Sequence, residues 1–205
     1  MTTAAAPSTV DRSDARLIVS GGIKLGVLTC VGVVAYALLS RVLTGTVAIV
    51  VESAIVLVGA PLATYLPAMW IRPRSVDGIS WAAMLAVVGS TTYAIVDTAL
   101  LRPLHVYSWT WDAIGGGSGF WYIPIWWMGS AVLAWLGAWV VSNTARGRPD
   151  VGVLGTAIQT LVLGLVLFAI LAVTGVAPFH PATAALGLAI ALVLHVPISA
   201  ALNRK

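Results

Sequence analysis

Six runs of mostly apolar residues, each long enough to cross a lipid bilayer, govern what this chain can fold into. They cover about residues 17–40, 46–71, 79–101, 121–142, 151–174 and 182–202. A helix needs about 20 apolar residues to cross a hydrocarbon layer roughly 30 Å thick. The runs are apolar all round and not along one stripe, which is the pattern of a helix in lipid. A barrel would instead need alternating segments of about ten residues. The expectation is an all-α, polytopic membrane protein with six transmembrane helices. Composition agrees: the 205 residues are 60% hydrophobic and 9% charged, with mean hydropathy +0.99. Soluble domains average about 25% charged residues, and disordered chains lack apolar mass, so both classes are excluded. Residues 1–16, small and polar, are expected to form a disordered tail. Residues 17–205 then form a single domain, with no room for a separate catalytic or DNA-binding unit.

Orientation follows from the basic residues. With the N-terminus inside, the inner segments hold Arg12, Arg16, Lys24, Arg72, Arg74, Arg146, Arg148, Arg204 and Lys205. The outer segments hold Arg41 and Arg102. Nine against two places both termini in the cytoplasm. The net charge of +4 reflects these loops and predicts no nucleic-acid binding. Cys30, the single cysteine, lies in an apolar run and supports neither an internal disulfide nor a zinc site. A multi-pass protein of a bacterial plasma membrane is the expected localisation.

One connection is long. Residues 102–120 read RPLHVYSWTWDAIGGGSGF. Tyr107, Trp109 and Trp111, with Trp121 and Tyr122 behind them, suggest an aromatic collar at the headgroups. The Gly115–Gly119 run lacks the Lys-Ser/Thr of a phosphate loop and reads as a flexible turn.

Ionisable residues inside a membrane are costly and often functional. Glu52 lies seven residues into the second run, and Asp97 lies near the outer end of the third. Arg41 and Arg102 sit at the same outer level. A structural charge cluster of Arg41, Glu52, Asp97 and Arg102 that positions helix ends is the expectation, and a proton or cation site is the alternative. Lys24 can snorkel to the headgroups. His195 has no histidine or cysteine at matching depth, so no metal and no cofactor is expected. No G-x-S-x-G or H-E-x-x-H pattern is present, and the chain is not expected to be an enzyme.

Neutral polar groups form a second set: Ser90, Thr91, Thr92 and Tyr93 in the third run, Thr64 and Tyr65 in the second, and Thr156, Gln159 and Thr160 in the fifth. Such groups join helices by hydrogen bonds or line a cavity for a lipid head. Thr91 and Tyr93 lie about 200° apart on a helix, so only one of them can face a given cavity squarely. Gly22 and Gly26 form a G-x-x-x-G pair suited to close helix approach. Prolines 61, 67, 124 and 197 add kinks.

The stretch IWWMGSAVLAWLGAWVVSNTARGRPDVGVLGTAIQTLV, residues 125–162, resembles the Insig family of sterol-responsive membrane proteins. Trp139 opens the end of the fourth run, a turn with Arg146, Gly147 and Arg148 follows, and Gly152, Gly155, Thr156, Gln159 and Thr160 mark the fifth. SWAAMLAVVGSTTYAIVD, residues 80–97, is similar to the family's third helix through Trp81, Gly89, Ala94 and Asp97. The Ala, Val, Gly and Trp usage suggests an actinobacterial member. The resemblance implies a six-helix lipid- or sterol-binding regulator and places Trp139 at the family's ring position. Asn143 stands where the family has an Asp linked to partner binding, and Trp126 where it has a Gln linked to sterol response. The family's protein partners are therefore not carried over.

The functional expectation is an Insig-like protein for lipid sensing and regulation. It binds a neutral, diacylglycerol-like membrane lipid between its helices, with Thr91, Tyr93, Trp139 and Gln159 as ligand-binding residues. Too little fixed positive charge lies at mid-depth for a phospholipid head. A homo-oligomer is possible. The alternatives are a small proton-coupled transporter built on Glu52 and Asp97, and an accessory subunit of a membrane complex.

Overall fold

In a computed structural model that describes residues 14–106, 122–146 and 152–202, each of the six runs is an α-helix. They are α1 (Ala15–Val42), α2 (Gly45–Ile71), α3 (Val76–Val96), α4 (Tyr122–Thr144), α5 (Val153–Val173) and α6 (Pro181–Leu202). All six are long and apolar enough to cross a membrane, and no strand occurs among the described residues. The helix starts follow local chemistry. The Asp14 carboxylate accepts from the Arg16 N–H at 3.0 Å, so α1 begins two residues before the apolar run does. The Ser75 hydroxyl accepts from the Gly78 N–H at 3.1 Å, which starts α3 three residues earlier than hydropathy indicates. Pro181 sits at the first position of α6, where its missing N–H costs nothing. The aromatic collar and the glycine run lie outside the described residues, as do residues 1–13 of the tail.

An even number of passes brings Asp14 and Leu202 to one end of the bundle, called here the terminal end; the opposite end is the far end. α2 occupies the centre, in contact with each of the other five helices. Its Pro61 and Pro67 are buried, so the missing backbone bonds fall where neighbouring helices cover them. The three most extensive helix contacts are those of α1 with α3, α5 with α6, and α3 with α4.

Close contact replaces hydrophobic drive, because lipid tails are as apolar as leucine. The G-x-x-x-G pair of α1 lies against α3. A Cβ built on Gly26 would stand 2.5 Å from the Gly89 carbonyl oxygen. On the other side of the bundle, a Cβ on Gly187 of α6 would stand 2.9 Å from the Gly164 oxygen of α5. The main apolar core gathers Ile18, Leu25, Tyr65, Ile71, Leu85, Val140, Val141 and Leu192.

Candidate functional site

Two groups of polar side chains are built into the bundle, one toward each end. At the far end α3 does not stop at Val96 but widens into a π-helical turn, Asp97–Leu101. In an α-helix, residues five apart lie about 140° from one another. The i→i+5 bonding of a π turn brings them to the same face. Arg102 thus reaches back to Asp97, its Nε–H donating to Oδ2 at 3.2 Å. The Asp97 residue is 0% exposed, and its Oδ1 has no hydrogen-bond partner. Beside this turn, Tyr93 packs on Trp126 of α4 with ring centroids 5.3 Å apart, in a cluster with Cys30 and Leu101.

The expected charge cluster is divided. Asp97 and Arg102 form an ion pair. Glu52 is not with the arginines: the Tyr36 hydroxyl of α1 donates to its Oε2 at 3.2 Å. Arg41 instead donates from Nη2 to the His105 carbonyl at 2.6 Å. The physical reason is chain position. α2 starts at Gly45, so Glu52 is two turns deep and faces α1 at the level of Tyr36. Arg41 lies in the last turn of its helix and reaches the segment that follows α3, where His105 lies.

Toward the terminal end, three helices contribute to a buried hydrogen-bonded set. The Tyr65 hydroxyl of α2 lies 2.6 Å from the Thr160 Oγ1 of α5. That Oγ1 lies 2.7 Å from the His195 Nδ1 of α6 and 3.2 Å from the Thr156 carbonyl. All three side chains are buried. At 1.5 Å per residue, each lies about 9–11 Å in from its helix end, which is why they meet. Thr160 has one proton to give. If the Thr156 carbonyl takes it, His195 Nδ1–H and Tyr65 O–H both donate to Thr160. If His195 Nδ1 takes it, the imidazole carries its proton on Nε2. Tyr65 donates to Thr160 in both arrangements, and the set needs no net charge. One turn closer to the terminal end, Asn143 of α4 donates from Nδ2 to the Ser199 hydroxyl of α6 at 3.2 Å.

Tyr65 has a second role. It lines an open cavity of about 170 Å³ between α2 and α5. Val58, Pro61, Leu62, Leu66 and Met69 form one wall, and Val153, Leu154, Ala157, Ile158 and Leu161 form the other. The cavity runs from the terminal end toward mid-depth, and its lining is almost wholly apolar.

The four residues expected to bind ligand do not converge. Thr91 is half-buried and donates to the Val87 carbonyl at 2.8 Å. Tyr93 is buried against Trp126 at the far end. Trp139 is 39% exposed and packs on Trp135, centroids 5.6 Å apart. Gln159 is exposed and lies one residue beyond the cavity-lining Ile158. Tyr65, Thr160 and His195 stand among the polar residues of the sequence, and their equal distance from one end of the bundle is the signal that groups them.

Removing the shared hydroxyl tests the set. Thr160→Val keeps the shape but leaves the Tyr65 O–H and His195 Nδ1 without their partner. We expect a loss of about 1–3 kcal/mol in thermal unfolding, the cost of leaving buried polar groups unpaired. Tyr65→Phe should then add little to Thr160→Val, because both remove the same bond. Fully additive losses would show that the hydroxyls act separately.

The fold defines a multi-pass membrane protein of six helices with a lipid-facing cavity beside a neutral polar set. Compared with known families, characterised proteins and solved structures, the chain matches none of them.

Proposed function

We propose that the chain is an Insig-like membrane protein that binds a neutral, diacylglycerol-like lipid and serves in lipid sensing, with an acyl chain in the cleft between α2 and α5. The observation that carries this reading is the cavity itself. It is apolar on both walls, open at the side, and of a size that suits a segment of hydrocarbon chain. Lipid-soluble ligands need few polar partners. The neutral Tyr65–Thr160–His195 set beneath the cavity offers hydroxyl and imidazole groups but no fixed charge, which favours an uncharged head over a phosphate.

Lipid extraction from the purified protein followed by mass spectrometry tests the proposal. One neutral lipid class at near-stoichiometric level is expected. Ala157→Phe, which sets a ring into the cavity, should bring that occupancy to background while the protein still melts cooperatively. Equal occupancy in Ala157→Phe and the parent would place the lipid elsewhere. Phospholipid alone, at the same level as in an unrelated membrane protein, would remove the reading altogether.

A further inference from the structure

Two buried polar atoms at the far end of the bundle have no hydrogen-bond partner among the described residues, and they are chemical opposites. One is the Asp97 Oδ1, an acceptor; the other is the Trp126 Nε1, whose N–H can only donate. The Asp97 side chain is 1% exposed. Leaving either atom unpaired in an apolar interior is costly. Buried polar groups in folded proteins are almost always satisfied, so an unpaired donor beside an unpaired acceptor calls for a specific cause.

The fold brings the two groups to one place. Trp126 of α4 packs on Tyr93 of α3, ring centroids 5.3 Å apart. Asp97 follows Tyr93 by four residues, which is one turn and about 6 Å along the same helix face. Cys30, Val33 and Val34 of α1 complete the surrounding cluster. The segment after the π turn folds back over it: the Val106 N–H donates to the Leu101 carbonyl at 3.0 Å, and the Val106 side chain packs on the cluster. The bond from Arg41 to the His105 carbonyl ties that segment to α1. Three helices and a returning segment thus enclose one acceptor and one donor.

The pair selects the chemistry of its guest. A metal cation would suit the carboxylate oxygen but meet the proton of the indole. An anion would suit the indole but meet the carboxylate. The charge of Asp97 is already balanced by Arg102, so a neutral guest keeps the site neutral. A hydroxyl group donates one bond and accepts another at the same oxygen, which is what the two atoms require.

We infer that the far end holds a binding site for a single hydroxyl group, whose O–H donates to the Asp97 Oδ1 while its oxygen accepts from the Trp126 Nε1–H. The hydroxyl belongs to a water molecule or to the alcohol head of a lipid. Arg102, 31% exposed and adjoining the site, marks the side from which either arrives. The inference does not rest on the cavity between α2 and α5, which opens toward the other end of the bundle.

Nuclear magnetic resonance of the full chain in phosphatidylcholine vesicles, with isotope-labelled indole nitrogens, tests it. The Trp126 N–H signal is the one lost in Trp126→Phe, and Trp126→Tyr gives the same assignment where that variant does not fold. In the parent this signal is expected at the downfield position of a hydrogen-bonded indole, with magnetisation transfer from a hydroxyl-bearing molecule. Added decanol distinguishes the sources. Transfer from water that persists assigns the hydroxyl to water, and transfer from the decanol O–CH₂ protons in its place assigns it to an alcohol head. Asp97→Leu, which keeps the shape without the oxygens, should weaken the hold on the hydroxyl at least about fivefold, the equivalent of one ordinary hydrogen bond. Absence of transfer from both sources in the parent overturns the inference, and the parent spectrum decides this even where Asp97→Leu does not fold. A downfield signal without transfer also overturns it, since the indole would then be bonded directly to a protein group. So does transfer that is unchanged in Asp97→Leu.

Discussion

Gly26→Leu is expected to leave little folded protein, with a loss of at least about 3 kcal/mol, at or beyond the upper end of ordinary overpacking. The first side-chain atom alone would stand 2.5 Å from the Gly89 carbonyl oxygen and 2.6 Å from the Thr92 Cβ. Neither neighbour can rotate out of the way, because one is backbone and the other is fixed to it. α1 and α3 would have to separate along their whole contact, and that contact is the most extensive in the molecule. Gly26→Ala should already be destabilising for the same reason. Gly32→Ala is the contrasting case. A Cβ there meets nothing within 4 Å, and alanine is the better helix former by about 1 kcal/mol. Thermal unfolding in one detergent separates them: Gly32→Ala unchanged or raised, Gly26→Leu strongly lowered. Equal effects from the two would mean that α1 and α3 are not in backbone contact.

Helix number and extent are legible in the sequence because lipid imposes one requirement on every span. A run must be apolar and about 20 residues long, and nothing else competes with that signal. Helix ends are less legible where a cap overrides hydropathy: Asp14 and Ser75 extend α1 and α3 into polar sequence. The close approach at Gly26 can be read from its spacing to Gly22, since glycine four residues from glycine has few other uses on an apolar helix. The site was less legible. Which face a residue presents depends on helix rotation, and uniformly apolar helices leave no amphipathic stripe from which to read it. Gln159 and Thr160 differ by one position, yet one is exposed and the other holds Tyr65 and His195 together. Depth is legible without rotation, so Tyr65, Thr160 and His195 could be grouped by their distance from a common end. Rotation also decides that Glu52 meets Tyr36 and not an arginine.

Arg102→Gln is expected to cost about 3 kcal/mol in unfolding free energy, the low end for breaking a buried ion pair. The low end applies because the Arg102 side chain is 31% exposed, whereas that of Asp97 is 1% exposed. One carboxylate oxygen already lacks a partner, so losing the guanidinium takes away the N–H that the other oxygen accepts from. The position adds to the penalty: a negative charge at the C-terminal end of α3 faces the unfavourable end of the helix dipole, and Arg102 offsets it. Asp97→Asn combined with Arg102→Gln removes the charge together with its partner. The double variant should therefore recover part of the loss, and its cost should be smaller than the sum of the single costs. Arg102→Lys should not fully substitute. The observed bond uses Nε, close to the backbone, whereas a lysine ammonium sits at the end of a flexible stem. Because the π turn is what brings position 102 over position 97, the same pair also fixes the course of the chain where it leaves α3. Limited proteolysis should then cut residues 102–106 faster in Arg102→Gln than in the parent. Cleavage at the parent's rate together with an unchanged melting temperature would show that the π turn holds without its ion pair.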